Sequence, residues 1–193
     1  MGGGIYLQRE KIYAVLLKHV HSEQLLRHGA AVEIALRAYA EKFGADPDYW
    51  GAVGLLHDID FEKYPNEHLK HSREILLSEG FAEQFVIDVI SHDREWEKER
   101  SLLQKALLAC DEMTGFVLAC ALVRPDKSLD ALEVKSVVKK MKDKAFARAV
   151  SRELLAESAA DLGVDLKEHI DFVRAALAAK VKDEPYAGLK FLG

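Results

Sequence analysis

The chain has 193 residues, 49% of them hydrophobic and 31% charged, which is enough for one substantial core; no break in composition marks a second domain, so residues 1–193 read as a single globular domain. Lysine and arginine number 27 against 32 aspartates and glutamates, and the net charge of -5 argues against non-specific adhesion to nucleic acid or an anionic membrane while leaving room for a local basic patch and a small anionic substrate. No apolar run reaches the roughly 18 residues of a membrane span, Met1-Gly2-Gly3-Gly4 lacks the plan of a secretory signal, and Cys110 and Cys120 cannot meet along one expected helix, so a reduced, cytoplasmic setting is expected.

Four prolines (47, 65, 125 and 185) interrupt the chain, and between them apolar residues recur at three and four, which predicts an almost entirely helical protein. A first short helix is expected from about Leu7 to His19. Ser22 and Glu23 open a long one with Leu25, Val32, Leu36, Tyr39 and Phe43 on one stripe, ended by Gly44. Asp46-Pro47 starts the next, Asp48 to about Leu56, followed by an irregular polar connection from His57 to Asn66. Helices are then expected at about Glu67 to Glu79, Phe81 to Ser91, Ser101 to Val123, Leu129 to Lys139, Asp143 to Leu162 and Asp165 to Lys180, with Gly80 and Gly163 as breaks. The tail from Pro185 to Gly193 reads as a loosely packed end.

Titratable residues interrupt the apolar stripes at a few places, and a buried charge is costly unless it is paired or bound to metal. His28 lies three after Leu25 and four before Val32, and His92 lies seven after Phe85 and three after Val89, so each projects with its apolar neighbours. Asp111, four after Leu107 and seven before Leu118, puts a carboxylate into an apolar seam, and His57-Asp58 ends the apolar run Ala52-Val53-Gly54-Leu55-Leu56. One inward histidine is ordinarily a hydrogen-bonded core residue. Three imidazoles and two carboxylates facing inward from separate helices instead form one satisfied cluster if they converge on divalent metal, with Zn, Fe, Mn, Co or Ni equally suited. Adjacent His57 and Asp58 point about 100° apart on a straight helix, so both reach one ion only where the helix ends.

His28, then His57-Asp58, then Asp111, in that order, resembles the H...HD...D signature of the HD-domain superfamily of metal-dependent phosphohydrolases. The flanks Leu26-Arg27-His28-Gly29-Ala30-Ala31-Val32, Gly54-Leu55-Leu56-His57-Asp58-Ile59-Asp60 and Asp111-Glu112-Met113-Thr114-Gly115 are similar to the HDIG-type branch, over about Leu25 to Pro125. The resemblance implies an all-α helical bundle, with a core motif region at 20–125 and the helices of 128–182 packed on it, and one or two divalent ions. It also implies two further ligands: Glu67-His68-Leu69-Lys70-His71-Ser72-Arg73-Glu74-Ile75-Leu76 is similar to a helix beginning HPxxGxEIL, which places one at His68, and Ile90-Ser91-His92 places the other at His92. Leu69 and Ser72 replace the usual Pro and Gly, and His71, one turn further on, is the alternative to His68. After HDI the branch has Gly and then Lys or Asp; here Asp60-Phe61-Glu62-Lys63 follows, so Lys63 takes the place of that lysine two positions late, or else forms a solvated surface pair with Glu62.

In such a site a divalent ion activates water and polarises a phosphoryl oxygen. The resemblance makes His28, His57, Asp58 and Asp111 the first ligand set, with Asp58 also the protein base. Arg124, Lys135, Lys139 and Lys140, with Arg148 and Arg152 further out, are the candidate cations for the phosphate. Buried helical cysteines are poor nucleophiles, the glycine clusters lack the lysine of a phosphate loop, and Trp50 and Trp96 are isolated from one another. Two readings follow: a phosphohydrolase acting on a nucleotide or other small phosphoester, or a non-catalytic helical module that binds metal or nucleotide. The GYP element of cyclic-di-GMP hydrolases is absent, which by resemblance argues against that substrate.

Overall fold

The computed structural model describes residues 8–193, and among the described residues every regular element is helical. Helix α1 (Arg9–His19) is followed by α2 (Glu23–Phe43), whose ends are set by two residues chosen for their chemistry. The Ser22 hydroxyl accepts the Leu25 N–H, and Gly44 takes a left-handed φ of 67° that most side chains avoid. Helix α3 (Pro47–Leu56) starts at Asp46, whose carboxylate accepts the N–H groups of Asp48 and Tyr49, and it is buried on every side from Trp50 to Leu56. Leu7, expected to begin the first helix, lies outside the described residues.

The contact between α2 and α3 is close because glycines stand on both sides of it. A Cβ on Gly29 would fall 2.9 Å from the carbonyl oxygen of Leu55, and one on Gly54 would meet Leu36 at 3.0 Å and the α2 backbone at 3.1 Å. These glycines therefore let the two backbones approach at the level of His28 and His57. A buried ion cluster fixes the other end of this layer: Glu33, with no exposed surface, accepts from Arg9 of α1 and Arg37 of α2, and Arg37 reaches Asp48 at 2.7 Å. Removing one member of such a cluster typically costs about 3–5 kcal/mol.

Helices α4 (Ser72–Ser78), α5 (Glu83–Ile90) and α6 (Leu102–Leu122) continue the chain. α4 is five residues shorter at its start than the periodicity suggests, because Leu69 adopts a φ of 70° and the N–H groups of His71 and Ser72 donate to Asp60 instead of to a preceding helical turn. The chain divides into two compact units, one up to Leu107 and one from Leu108 to Gly193, with the division inside α6. In the first unit Asp88, on α5, accepts from Tyr49 of α3 and from Gln84 and Gln104, a buried polar tie that fixes the end of α5.

In the second unit α7 (Val134–Met141), α8 (Arg152–Asp161) and α9 (Leu166–Lys180) surround a core to which α9 contributes Ile170, Val173 and Leu177. The expected helix from Leu129 begins only at Val134, and the one expected from Asp143 begins only at Arg152. The guanidinium of Arg152 explains the second difference: it donates to the carbonyls of Asp143, Phe146, Ala147 and Val150, holding that stretch as turns. The C-terminal tail is not loosely packed. Tyr186 and Phe191 are 5% and 6% exposed on either side of a 3-10 turn, Ala187–Leu189, because two aromatic rings bury enough apolar surface to hold a short tail in place. Cys110 and Cys120 are both free and buried; burial pushes the Cys110 thiol far up and that of Cys120 to about 11, so neither is a thiolate near neutrality.

Candidate metal centre

α3 stops at Leu56, and the chain from His57 to Lys63 runs in turns, which frees His57 and Asp58 to point at one place despite being neighbours. The Asp58 carboxylate lies between two pairs of imidazoles. Its Oδ2 is 3.4 Å from His57 Nε2 and 3.5 Å from His28 Nε2; its Oδ1 is 3.2 Å from His68 Nε2 and 3.6 Å from His92 Nε2. Within the pairs, His28 and His57 face each other Nε2 to Nε2 at 3.1 Å, and His68 and His92 at 3.3 Å. Ligand atoms of His57, Asp58 and His92 all fall within 4.8 Å of one another.

The tautomers of three of these rings follow from their other nitrogen. His57 donates its Nδ1–H to the Gly54 carbonyl at 2.8 Å, His92 donates its own to the Val89 carbonyl at 2.7 Å, and His68 donates to Asp60 at 2.9 Å. Each neutral ring then presents a lone pair on Nε2 toward Asp58. Lone pairs aimed at one another and at a carboxylate repel, and a proton can relieve only one contact at a time. A divalent cation satisfies all of them, so the donor set fits a metal ion. Without one, the charges adjust: burial opposes ionisation of Asp58, but the charge on His57 and hydrogen bonds from His68 and His92 outweigh it and hold the carboxyl well below its usual range. Burial likewise disfavours charge on His68, yet hydrogen bonds to Asp58 and Asp60 dominate and raise it to about 9.

The HD domain family matches residues 25–115, a span that holds His28, His57, Asp58, His68, His92 and Asp111. Residues 25–115 of this chain are an HD domain. HD domains bind divalent metals and are in general hydrolases, and the all-helical architecture of the described residues agrees with that fold. No curated protein and no solved structure matches the chain.

The HD domain's remaining candidates divide sharply by location. His68 reaches Asp58, whereas His71 stacks on Tyr64 at 3.8 Å between ring centres and lies 3.3 Å from Glu67. Lys63 is exposed, its ammonium 5.1 Å above the Tyr64 ring. Glu62 is not simply a solvated surface group: its Oε2 accepts the backbone N–H groups of His21 and Ser22 at 2.8 and 2.9 Å, tying the HD turn to the start of α2. Asp111 stands half-buried on α6, in the second unit. Arg124, in the same unit, is engaged by both carboxylate oxygens of Asp126 at 2.9 Å, Lys135 pairs with Glu133 at 2.9 Å, Lys139 is exposed, and Arg152 is committed to backbone carbonyls.

Reading the sequence for inward-facing histidines passes over Asp60. It is fully buried, its Oδ1 holds His68, and its Oδ2 accepts from the N–H groups of His71 and Ser72. The available signal was a second aspartate two residues after Asp58, in a turn where each carboxylate can face a different way.

Proposed function

We propose that this HD-domain protein is a metal-dependent phosphohydrolase of the HDIG type, acting in the cytoplasm on a nucleotide or other small phosphoester, with residues 1–193 working as one domain. The observation that carries the reading is the placement of Asp58, one carboxylate oxygen toward the His28–His57 pair and the other toward the His68–His92 pair. In the proposed assignment His28, His57 and Asp58 would hold one ion, to which the HD signature alone adds Asp111, and His68 and His92 would hold a second with Asp58.

A bound divalent cation of the Fe, Mn, Zn, Co or Ni class supplies Lewis acidity at a phosphoryl oxygen and brings the pKa of bound water toward neutrality. The protein's part is positional. Asp58, kept ionised by its histidine neighbours, accepts the proton of the attacking water, and its fixed carboxylate orients that water. The carbonyls of Gly54 and Val89 and the carboxylate of Asp60 hold His57, His92 and His68 in the rotations that keep their Nε2 atoms on the centre. Lys63 is the nearest cation along the chain from Asp58. Arg124, Lys135 and Lys139 are the cations proposed for the phosphate; Arg124 and Lys135 make exposed pairs with Asp126 and Glu133, which solvent screens.

The test is metal analysis of the purified protein, followed by a phosphate-release screen over nucleoside monophosphates, dinucleotides and non-nucleotide esters with each of the five metals. Release of phosphate that requires added metal supports the proposal. Stoichiometric metal with no hydrolysis of any ester would instead favour a non-catalytic metal-binding module.

A further inference from the structure

The large apolar side chains left exposed among the described residues are Leu17, Phe61, Leu77, Leu102, Leu122 and Val123, and the aromatic one stands against the metal centre. Phe61 is 38% exposed, and its ring meets that of His68 at 5.1 Å between centres with the planes 85° apart. His68 in turn lies 3.2 Å from Asp58. In an edge-to-face pair only one ring can offer its face, so at least one face of Phe61 remains uncovered by His68 whichever ring does so. The backbone that carries the ring is fixed: the Phe61 N–H donates to the Asp58 carbonyl at 3.0 Å, and the turn is pinned by Asp60 and by Glu62. Beyond it the Tyr64–His71 stack, with the Lys63 ammonium over Tyr64, continues the same stretch of chain as a second aromatic and cationic surface.

An exposed ring on a protein surface ordinarily means little. This one is fixed one residue contact away from the atoms that would meet the phosphate. From this we infer that Phe61 is a specificity-determining residue, whose free face stacks on a planar aromatic group of the substrate while the phosphoryl end of the same molecule lies at Asp58. The inference rests on the phosphohydrolase reading, and it selects within it: esters that carry an aromatic ring over esters that carry only a sugar or an alkyl chain. The ring can belong to a nucleobase or to an aryl ester, and the two share the stacking chemistry.

The experiment compares adenosine 5′-monophosphate, phenyl phosphate and ribose 5-phosphate on the metal-loaded protein, wild type, Phe61→Ala and Phe61→Tyr, and adds saturation-transfer NMR with adenosine alone, which needs no turnover. Wild type should favour the ring-bearing esters in kcat/KM by roughly ten- to a hundredfold, the range in which base-aromatic stacking acts. Phe61→Ala should collapse that ratio and remove saturation transfer to adenosine, and Phe61→Tyr should restore both. Preference for adenosine 5′-monophosphate over phenyl phosphate identifies a nucleobase as the group, and the reverse an aryl ester. A ratio of one in wild type, or a ratio and an adenosine signal unchanged in Phe61→Ala, overturns the inference while leaving hydrolysis standing. If no ester is hydrolysed but adenosine binding depends on Phe61, the enzyme reading fails and the stacking surface survives.

Discussion

Asp60 Oδ1 lies 2.9 Å from His68 Nδ1, and this contact decides which nitrogen of His68 faces Asp58. Asp60→Asn should keep the shape and lose the preference, because an amide can present N–H where the carboxylate presented oxygen. Metal affinity is expected to fall about 10- to 100-fold, the usual effect of removing a partner that orients a ligand. Metal titration of the variant, with circular dichroism to show an intact helical fold, checks this; unchanged affinity would remove Asp60 from the site.

Asp58→Ala removes the one group common to both imidazole pairs. Bound metal and phosphate release should disappear together, with helix content nearly unchanged. A variant that kept full metal content and normal turnover would contradict the assignment of Asp58 as both ligand and base.

Metal should also stabilise the fold, since the imidazoles facing each other at 3.1 and 3.3 Å are poorly arranged without it. Binding to the native state alone adds about 2.7 kcal/mol when free metal is 100 times its Kd, so chelation should lower Tm by several degrees. His28→Ala should lose most of that sensitivity. Thermal unfolding with and without chelator provides the comparison, and a metal-loaded wild type indifferent to chelation would count against a built site.

Gly29→Ala should be destabilising by about 1–3 kcal/mol, the usual cost of overpacking, because its methyl would fall 2.9 Å from a backbone oxygen that cannot rotate away. Gly115→Ala is the control. Nothing lies within 4 Å of a Cβ there, and the position is exposed in α6, so the substitution should be neutral or stabilising by up to about 1 kcal/mol. Denaturant melts of the two variants distinguish a close helix approach from a general intolerance of alanine.

Glu62 supplies a pH-dependent contact outside the metal centre. Hydrogen bonds from the Ser22 and His21 N–H groups lower its pKa from 4.5, so its contribution to stability is fully present above that value and is lost as pH falls through the lowered one. Glu62→Gln should therefore lose stability at neutral pH and show a shallower decline toward acid than wild type. Urea midpoints at a series of pH values between about 3 and 7 would show it; parallel curves would mean that the carboxylate does not hold the start of α2.

The helical class, the helix ends at Ser22, Gly44 and Asp46, and the residues that stand at the HD signature were legible along the chain, because caps and helical periodicity are local and the signature is an ordered spacing. His28, His57 and His92 could be picked out for the same reason: each breaks an apolar stripe on its own stretch of chain. What the order of residues could not decide was which of His68 and His71 reaches Asp58. That depends on a φ of 70° at Leu69 and on Asp60 capping the start of α4, two features in which a turn overrides helical periodicity. α4 and α8 start later than the periodicity predicts because side chains take over backbone groups at or before each start, as Asp60 does for the N–H groups of His71 and Ser72 and Arg152 for the carbonyls of Asp143, Phe146, Ala147 and Val150. The tail was misjudged because the burial of Tyr186 and Phe191 is a property of the surface they land on. Sequence determined which groups are present to bind a metal; tertiary structure alone decided that the two oxygens of Asp58 would each face a different pair of imidazoles, since that requires α3 to end where it does and three backbone or carboxylate acceptors to turn the rings.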